Sequence, residues 1–265
     1  MCEETAPLLD PLTDLSRQAA AYDWAGNGAL ILDQRYRERQ LPLLDDRARA
    51  SLGPEVGAAE YWPPIRSAVI PIDSGRLAAD GGITAFLDDL RRSAVASLVW
   101  WPGLALRADR MHATLVGGLG EGSDLPARLA QHIEVMVRGP WIGRFNTGRV
   151  YLPVQAADKA SATALAQLRT RTGADHRPLL AGYVQLTDDV TGDAYRQLRD
   201  IVATHQSRIA VRLPLSELWL MDTMDDLVLR SRLAARIPLG GGRMAEHPPG
   251  ATGVRGPAAR PRPGS

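Results

Sequence analysis

The stretch DRMHATLVGGLG, residues 109–120, carries the strongest local signal in the sequence. Side chains alternate across a β-strand, so the imidazole of His112 and the hydroxyl of Thr114 project from the same face of such a strand. The odd-numbered residues next to them are apolar. This alternation predicts a strand over residues 110–118 whose odd-numbered side chains face the core. An H-x-T pair also occurs in ordinary half-exposed strands, so its meaning depends on the rest of the chain.

Length, charge and cysteine content restrict the class of protein. The chain has 265 residues, a formal net charge of +1 and 45% apolar residues, which suits a globular protein with a proper core. The near-neutral charge gives no overall electrostatic surface for long nucleic acids or anionic membranes. The single cysteine, Cys2, excludes an intramolecular disulfide and a cysteine-based zinc cluster. The acidic start lacks a signal-peptide pattern, and no apolar run reaches the length of about 18 residues that a spanning helix needs. We therefore expect a cytoplasmic monomer without a membrane or disulfide partner.

The composition divides the chain into three segments. Residues 1–60 show helical spacing and predict an N-terminal helical extension, in which the charged run QRYRERQ (34–40) forms a solvated helix face. Residues 61–239 mix helix and strand patterns. Residues 240–265 are rich in glycine and proline, so we expect them to be disordered.

The segment 61–239 repeats one order of elements. The patterns predict strands at 67–72, 110–118, 148–154, 181–187, 208–213, 216–222 and 227–239, and helices at 83–94, 125–137, 159–173 and 192–205. Strand, helix and strand therefore follow one another twice, and Gly173 is placed to end the helix that starts at 159. This order predicts an α+β protein with an internal duplication, with halves at about 66–145 and 148–239.

Four short features give the segment a family resemblance. SAVIPI (67–72), RMHATL (110–115), GRVYLPV (148–154) and the closing ELWLMD…IPL (217–239) occur in order. Residues 66–239 thereby resemble the two-histidine (2H) phosphoesterase superfamily, which includes 2′-5′ RNA ligase-like proteins and cyclic nucleotide phosphodiesterases. The resemblance implies a bilobal α+β fold with a central cleft, to which each lobe contributes one H-x-T/S motif. It also implies that one histidine acts as base and the other as acid, that the hydroxyls hold phosphate oxygens, and that no metal or other cofactor is needed.

The second motif of the family is absent. In AGYVQLT (181–187), alternation directs Val184 and Leu186 to the core, so Tyr183 and Gln185 fall at the positions that a histidine and a threonine hold in the family. A tyrosine, with an ordinary pKa near 10, is a poor match for proton transfer at neutral pH. A glutamine can still donate an amide N–H to a phosphate oxygen. The candidate catalytic residues are His112, Thr114, Tyr183 and Gln185, with no metal ligand.

Four further residues are candidates for substrate binding: Trp101, Arg110, Arg149 and Tyr151. Trp100 and Trp101 are adjacent and point in opposite directions, so only one of them is available to stack on a ligand ring. Arg110 flanks the H-x-T pair and Arg149 lies near the junction of the two halves, where a guanidinium can meet a phosphate. Tyr151 lies on the strand 148–154 and faces either the cleft or the core.

Three functions fit these observations. The first is a phosphoesterase acting on a 2′,3′-cyclic or 2′-5′ phosphodiester of RNA or a small nucleotide. The second is a small-molecule enzyme on the same scaffold that relays protons between His112 and Tyr183. The third is a nucleotide- or RNA-binding module without turnover, whose binding depends on salt. Guanidinium groups pointing at His112 favour a phosphate ligand, whereas an apolar wall favours the second function.

Overall fold

The computed structural model describes residues 21–26, 28–44, 64–119, 132–173 and 178–240. The helices are α1 (Gln34–Arg39), α2 (Ser74–Ala78), α3 (Gly81–Arg92), α4 (Pro102–Leu106), α5 (Lys159–Thr172) and α6 (Gly192–Gln206). The strands are β1 (Ala29–Leu30), β2 (Ile65–Pro71), β3 (His112–Leu119), β4 (Ile133–Gly139), β5 (Trp141–Gly143), β6 (Asn146–Ala156), β7 (Leu179–Gln185), β8 (Val190–Thr191), β9 (Ile209–Leu215), β10 (Glu217–Thr223) and β11 (Ser231–Pro238). This mixture agrees with the predicted α+β class.

One curled antiparallel sheet organises the described residues. Its strand order is β11-β10-β2-β3-β7-β6-β4-β9, and β5 pairs with β6. The central strands β3 and β7 meet at Ala113, which lies opposite Ala181. The predicted H-x-T strand therefore lies in the middle of the sheet.

Helices cover one face of this sheet, which we call the helix-covered face. Ala113, Ala181 and Leu152 are aligned across it and belong to the main core cluster. The helices contribute apolar side chains at helical spacing, among them Ile83, Phe86 and Leu90 of α3, Leu165 and Leu168 of α5, and Leu198 and Val202 of α6. Helix α5 ends at Gly173, as predicted, because this residue has a left-handed φ of 67° that glycine adopts without strain.

The opposite face carries the side chain of His112, and we call it the His112 face. The loop 224–230 lies against it, because its carbonyls accept hydrogen bonds from Arg107 and Arg149. Residues 28–44 pack in two places: Leu30, Leu32 and Tyr36 join the main core cluster, whereas Leu43 and Leu44 pack with Trp100 and Leu227. The hydroxyl of Tyr36 donates a hydrogen bond to the carbonyl of Leu186, 2.7 Å away, and the Tyr36 side chain is fully buried. The run 34–40 is therefore only partly the solvated helix face that its charges predict.

Two predicted elements differ in the structure. Residues 133–139 form a strand, not the end of the helix predicted over 125–137, because Ile133, Val135 and Val137 alternate with more exposed neighbours and β4 pairs with both β6 and β9. The strand predicted from 227 begins at 231, since the preceding residues form a loop. Most of the predicted extension 1–60 and nearly all of the tail 240–265 lie outside the described residues, so both remain predictions. No described helix has the length and apolar character to cross a membrane.

Candidate functional site

His112 and Thr114 lie side by side at the start of β3, as the alternation predicts. Thr114 is exposed and His112 half-buried, whereas Met111, Ala113 and Leu115 are buried. The Nδ1 atom of His112 lies 2.7 Å from the carbonyl oxygen of Arg110. Because a carbonyl only accepts, Nδ1 carries the proton in the neutral ring, and Nε2 keeps its lone pair for another partner.

The surroundings of His112 keep its imidazole neutral. Burial lowers its pKa to about 4, and the guanidiniums of Arg107 and Arg149 also act to lower the pKa, against the opposing effect of the bond to the Arg110 carbonyl. A neutral imidazole with a free Nε2 lone pair is the form that a general base requires at neutral pH.

Arg107 is a buried cation close to this imidazole. Its side chain is 5% exposed, Nε donates to the Leu227 carbonyl at 2.8 Å, and Nη2 donates to the Gly182 carbonyl at 3.0 Å. Burial, together with the Arg149 guanidinium, lowers its pKa to about 9, while the carboxylate of Asp225 opposes the shift. Arg107 flanks the H-x-T strand in the sequence, and its position five residues before the histidine is the local signal that marks it as a group able to meet a phosphate.

Arg149 lies over the position opposite His112 on β7. Ala113 and Ala181 are paired antiparallel, so His112, one residue before Ala113, lies opposite Gly182, one residue after Ala181. A Cβ atom added to Gly182 would lie 2.7 Å from Cδ and 2.9 Å from Nη1 of Arg149, so the arginine occupies the space that a side chain at 182 would take. The Nη2 atom of Arg149 donates to the Asp226 carbonyl at 2.8 Å, and its Nε is buried without a hydrogen-bond partner among the described residues.

Tyr183 does not face His112. Strand β7 has a bulge at which Gly182 and Val184 are paired with consecutive residues of β6, so Tyr183 between them has no partner there. Its ring packs into the main core on the helix-covered face, close to α3. The simple alternation used for the sequence prediction fails at this bulge, and the structure does not bring Tyr183 and His112 together.

The same bulge turns Gln185 to the His112 face. Gln185 lies opposite Arg149 of β6. Arg149 is two residues from Tyr151 on that strand, so the three side chains lie on the same face of the sheet. The Gln185 side chain is fully buried, and neither Oε1 nor Nε2 has a hydrogen-bond partner within the described part of the chain. Gln185 therefore lies on the predicted side of the sheet, but the bulge puts it there and regular alternation does not.

Tyr151 continues the row that starts at His112. It lies opposite Gly182 on β6, and its ring contacts those of Trp141 and Phe145. The Arg149 guanidinium lies 5.8 Å from the centre of the Tyr151 ring. Burial raises the pKa of Tyr151, so its phenol stays protonated. Because neighbouring strands are about 4.8 Å apart, the backbones of His112 and Tyr151 are separated by roughly 10 Å across Gly182.

The two remaining candidates, Trp101 and Arg110, have structural contacts. Trp101 lies toward the helix-covered face, where its Nε1 donates to Ala96 and Arg91 stacks 5.1 Å from its ring centre. Its neighbour Trp100 points to the other side, as predicted, and packs in a small cluster with Leu43, Leu44 and Leu227. Nη1 of Arg110 donates to the carbonyl of Leu229 at 2.7 Å.

Backbone carbonyls of the loop 224–230 accept hydrogen bonds from Arg107, Arg110 and Arg149. Asp225 organises this loop: one carboxylate oxygen accepts from the N–H groups of Leu227 and Leu229, and the other accepts from that of Arg230. The arrangement as a whole places one neutral base and two buried guanidiniums together, which suits binding of an anion. Within the described ranges, no group of three or more histidine, cysteine, aspartate or glutamate residues is arranged to hold a metal ion.

Comparison with known proteins gives only distant structural similarity. No family model matches the chain, and no curated protein matches it significantly. The crystal structure of a phosphoesterase shares 13% identity with a TM-score of 0.38, covering 68% of this chain and 100% of its own. The crystal structure of TT0787 of Thermus thermophilus shares 10% identity with a TM-score of 0.36, with the same coverage of 68% and 100%. Similarity at this level does not establish a family for the chain.

Proposed function

We propose that the protein is a phosphoesterase of the two-histidine type that acts on a 2′,3′-cyclic or 2′-5′ phosphodiester of RNA or a small nucleotide. The observation that carries the proposal is the His112 imidazole, held through Nδ1 by the Arg110 carbonyl, with the buried guanidiniums of Arg107 and Arg149 near it. Guanidinium groups are the preferred partners of phosphate oxygens, and a neutral imidazole next to them can accept a proton from an attacking hydroxyl or water.

The proposed roles follow from position on the His112 face. Nε2 of His112 removes the proton of the attacking water while the bond between phosphorus and a ribose oxygen breaks. Arg149 and Gln185 hold the phosphate oxygens, because both have buried polar atoms without a partner among the described residues. Thr114, exposed beside His112, adds a hydroxyl donor. The protonated phenol of Tyr151, on the far side of Gly182, donates a hydrogen bond to a phosphate oxygen, and the leaving ribose oxygen takes its proton from solvent water.

The order of elements supports a duplicated arrangement around this face. Strand β2, helices α2 to α4 and strand β3 form one half, and strand β6, helix α5 and strand β7 form the other. The two halves meet at the β3–β7 pair. We propose that they are the two lobes of the family, with the second motif lost from β7.

A second candidate is nucleotide binding without turnover. It is favoured by Gly182, which leaves the place opposite His112 without a titratable side chain, and by the loop 224–230, whose carbonyls hold Arg107 and Arg149. The remaining function, a His112–Tyr183 proton relay, requires both side chains on one face of the sheet, and the bulge in β7 places them on opposite faces.

Turnover of 2′,3′-cyclic nucleotides and 2′-5′ dinucleotides, compared between wild type and His112→Ala, tests the proposal. Loss of a well-placed general base reduces the rate by about 10² to 10⁴. His132→Ala, at an exposed histidine beside β4, is the matched control and should keep wild-type turnover. Turnover that is unchanged in His112→Ala overturns the phosphoesterase proposal. Binding of the nucleotides without turnover in wild type supports the second candidate instead.

A further inference from the structure

A pocket on the helix-covered face is independent of the His112 site. It has a volume of about 500 Å³ and lies between α2, α3, α4 and the sheet. Apolar side chains form most of its lining, including Leu77, Leu87, Leu104 and Met111. Sites for small ligands typically have volumes of about 300–1,000 Å³ and an apolar lining with a few polar groups. The polar groups of this pocket therefore indicate which ligand it would take.

Tyr183 places a phenol in the wall of this pocket. Its side chain is 6% exposed, and its hydroxyl makes no hydrogen bond with any described residue. Burial raises its pKa to about 12, so the hydroxyl remains a donor throughout the physiological range. A phenol hydroxyl in a pocket wall, with no hydrogen bond to a described residue, can donate one to a bound group.

Arg91 supplies a positive charge at the same pocket. Its guanidinium acts electrostatically on the Tyr183 phenol, lowering the pKa of that group against the larger effect of burial. The ring of Trp101, 5.1 Å from the guanidinium carbon, helps to position it, and Nη1 pairs with the partly exposed Asp88 at 2.9 Å. The pocket thus combines one guanidinium, the phenol of Tyr183, the smaller hydroxyls of Ser74 and Thr84, and a mostly apolar wall.

We propose that this pocket binds a small monocarboxylate with an apolar body. The carboxylate accepts hydrogen bonds from the Tyr183 hydroxyl and the Arg91 guanidinium, and the apolar body packs against Leu77, Leu87 and Leu104. A singly charged carboxylate matches one guanidinium and one phenol better than a doubly charged phosphate does, since a buried charge needs compensation. The ligand class differs from the phosphodiester proposed for the His112 face, and the two sites lie on opposite faces of the sheet.

Titration of the full-length protein with octanoate, octanol and octylamine tests this assignment. Binding is followed by calorimetry and by NMR shifts of the leucine methyl groups that line the pocket. Octanoate should bind, with octanol weaker and octylamine weakest, because only the carboxylate uses both polar groups. Arg91→Gln and Tyr183→Phe should each weaken octanoate binding by about 3- to 10-fold, the value of one hydrogen bond.

Arg92→Gln is the matched control. Arg92 follows Arg91 on α3, is exposed and forms the same type of i,i+3 pair with Asp89, but it does not line the pocket. This variant should bind octanoate like the wild type. The proposal is overturned if octanoate does not bind, if octanol binds equally well, or if Arg91→Gln and Arg92→Gln behave alike. Arg91 is exposed, so Arg91→Gln leaves the core intact and tests the proposal even if Tyr183→Phe disturbs the core.

Discussion

The surroundings of His112 make a quantitative prediction about stability and pH. We consider His112→Asn, because the Asn amide nitrogen can keep the hydrogen bond that Nδ1 donates to the Arg110 carbonyl while the titrating ring is removed. In the folded protein, burial and two neighbouring guanidiniums lower the pKa of His112 from 6.5 to about 4. In the unfolded chain, these surroundings are absent and the ordinary value applies.

The direction of the effect follows from the two pKa values. As the pH falls below about 6.5, the unfolded chain binds a proton at His112, whereas the folded protein does not until the pH approaches 4. Protonation of His112 therefore leaves the free energy of unfolding unchanged above pH 6.5 and lowers it progressively as the pH falls from about 6.5 to 4. Each pKa unit is worth about 1.4 kcal/mol, so the full difference amounts to about 3 kcal/mol at most. Because His112 is half-buried and keeps contact with water, we expect about 2 kcal/mol.

Urea denaturation followed by tryptophan fluorescence, at a series of pH values from about 7.5 to 4.5, measures this difference. The free energy of unfolding of the wild type should fall by about 2 kcal/mol more than that of His112→Asn over this range. His132→Asn, which removes an exposed histidine outside the site, should follow the wild type. NMR titration of the His112 ring in the wild type gives its folded pKa directly.

Two results would refute the reasoning. If the unfolding free energies of wild type and His112→Asn run parallel from pH 7.5 to 4.5, His112 is not shielded from protonation. If the ring of His112 titrates near pH 6.5, the guanidiniums of Arg107 and Arg149 do not act on it. Either result would also remove the main support for a neutral general base at this position.

Three further predictions concern the surroundings of the site. Gly182→Ala should destabilise the protein by about 1–3 kcal/mol in thermal unfolding, because its Cβ would meet Arg149 at 2.7 Å, whereas Gly81→Ala, where a Cβ meets nothing within 4 Å, should not. Asp225→Ala removes the acceptor of three backbone N–H groups, so limited proteolysis should cut the loop 224–230 faster and stability should fall by about 2–4 kcal/mol. The side chains of Arg66 and Arg232 lower the pKa of Asp222 to about 2, so the ionised carboxylate stabilises the protein above pH 3.8 and this stability is lost as the pH falls toward 2. In urea denaturation, the free energy of unfolding of Asp222→Asn should therefore decrease by about 1–2 kcal/mol less than that of the wild type over this pH range.

Sequence alone determined the elements whose pattern is local. The alternation around His112 predicted β3 and its exposed and buried sides, and Gly173 predicted the end of α5, because both depend on the geometry of a few consecutive residues. The α+β class followed from the order of such elements.

Tertiary structure decided which residues share the site. The bulge in β7 turned Tyr183 to the helix-covered face and Gln185 to the His112 face, and such a bulge depends on pairing with β6, a strand about 30 residues away along the chain. Arg107 and Arg149 became site residues because the fold buries them beside His112, while the other arginines in the described part of the chain stay at least partly exposed. Period-two spacing assigns residues to the two faces of a regular strand, but partners across a sheet, and the irregularities they impose, arise only when the strands meet.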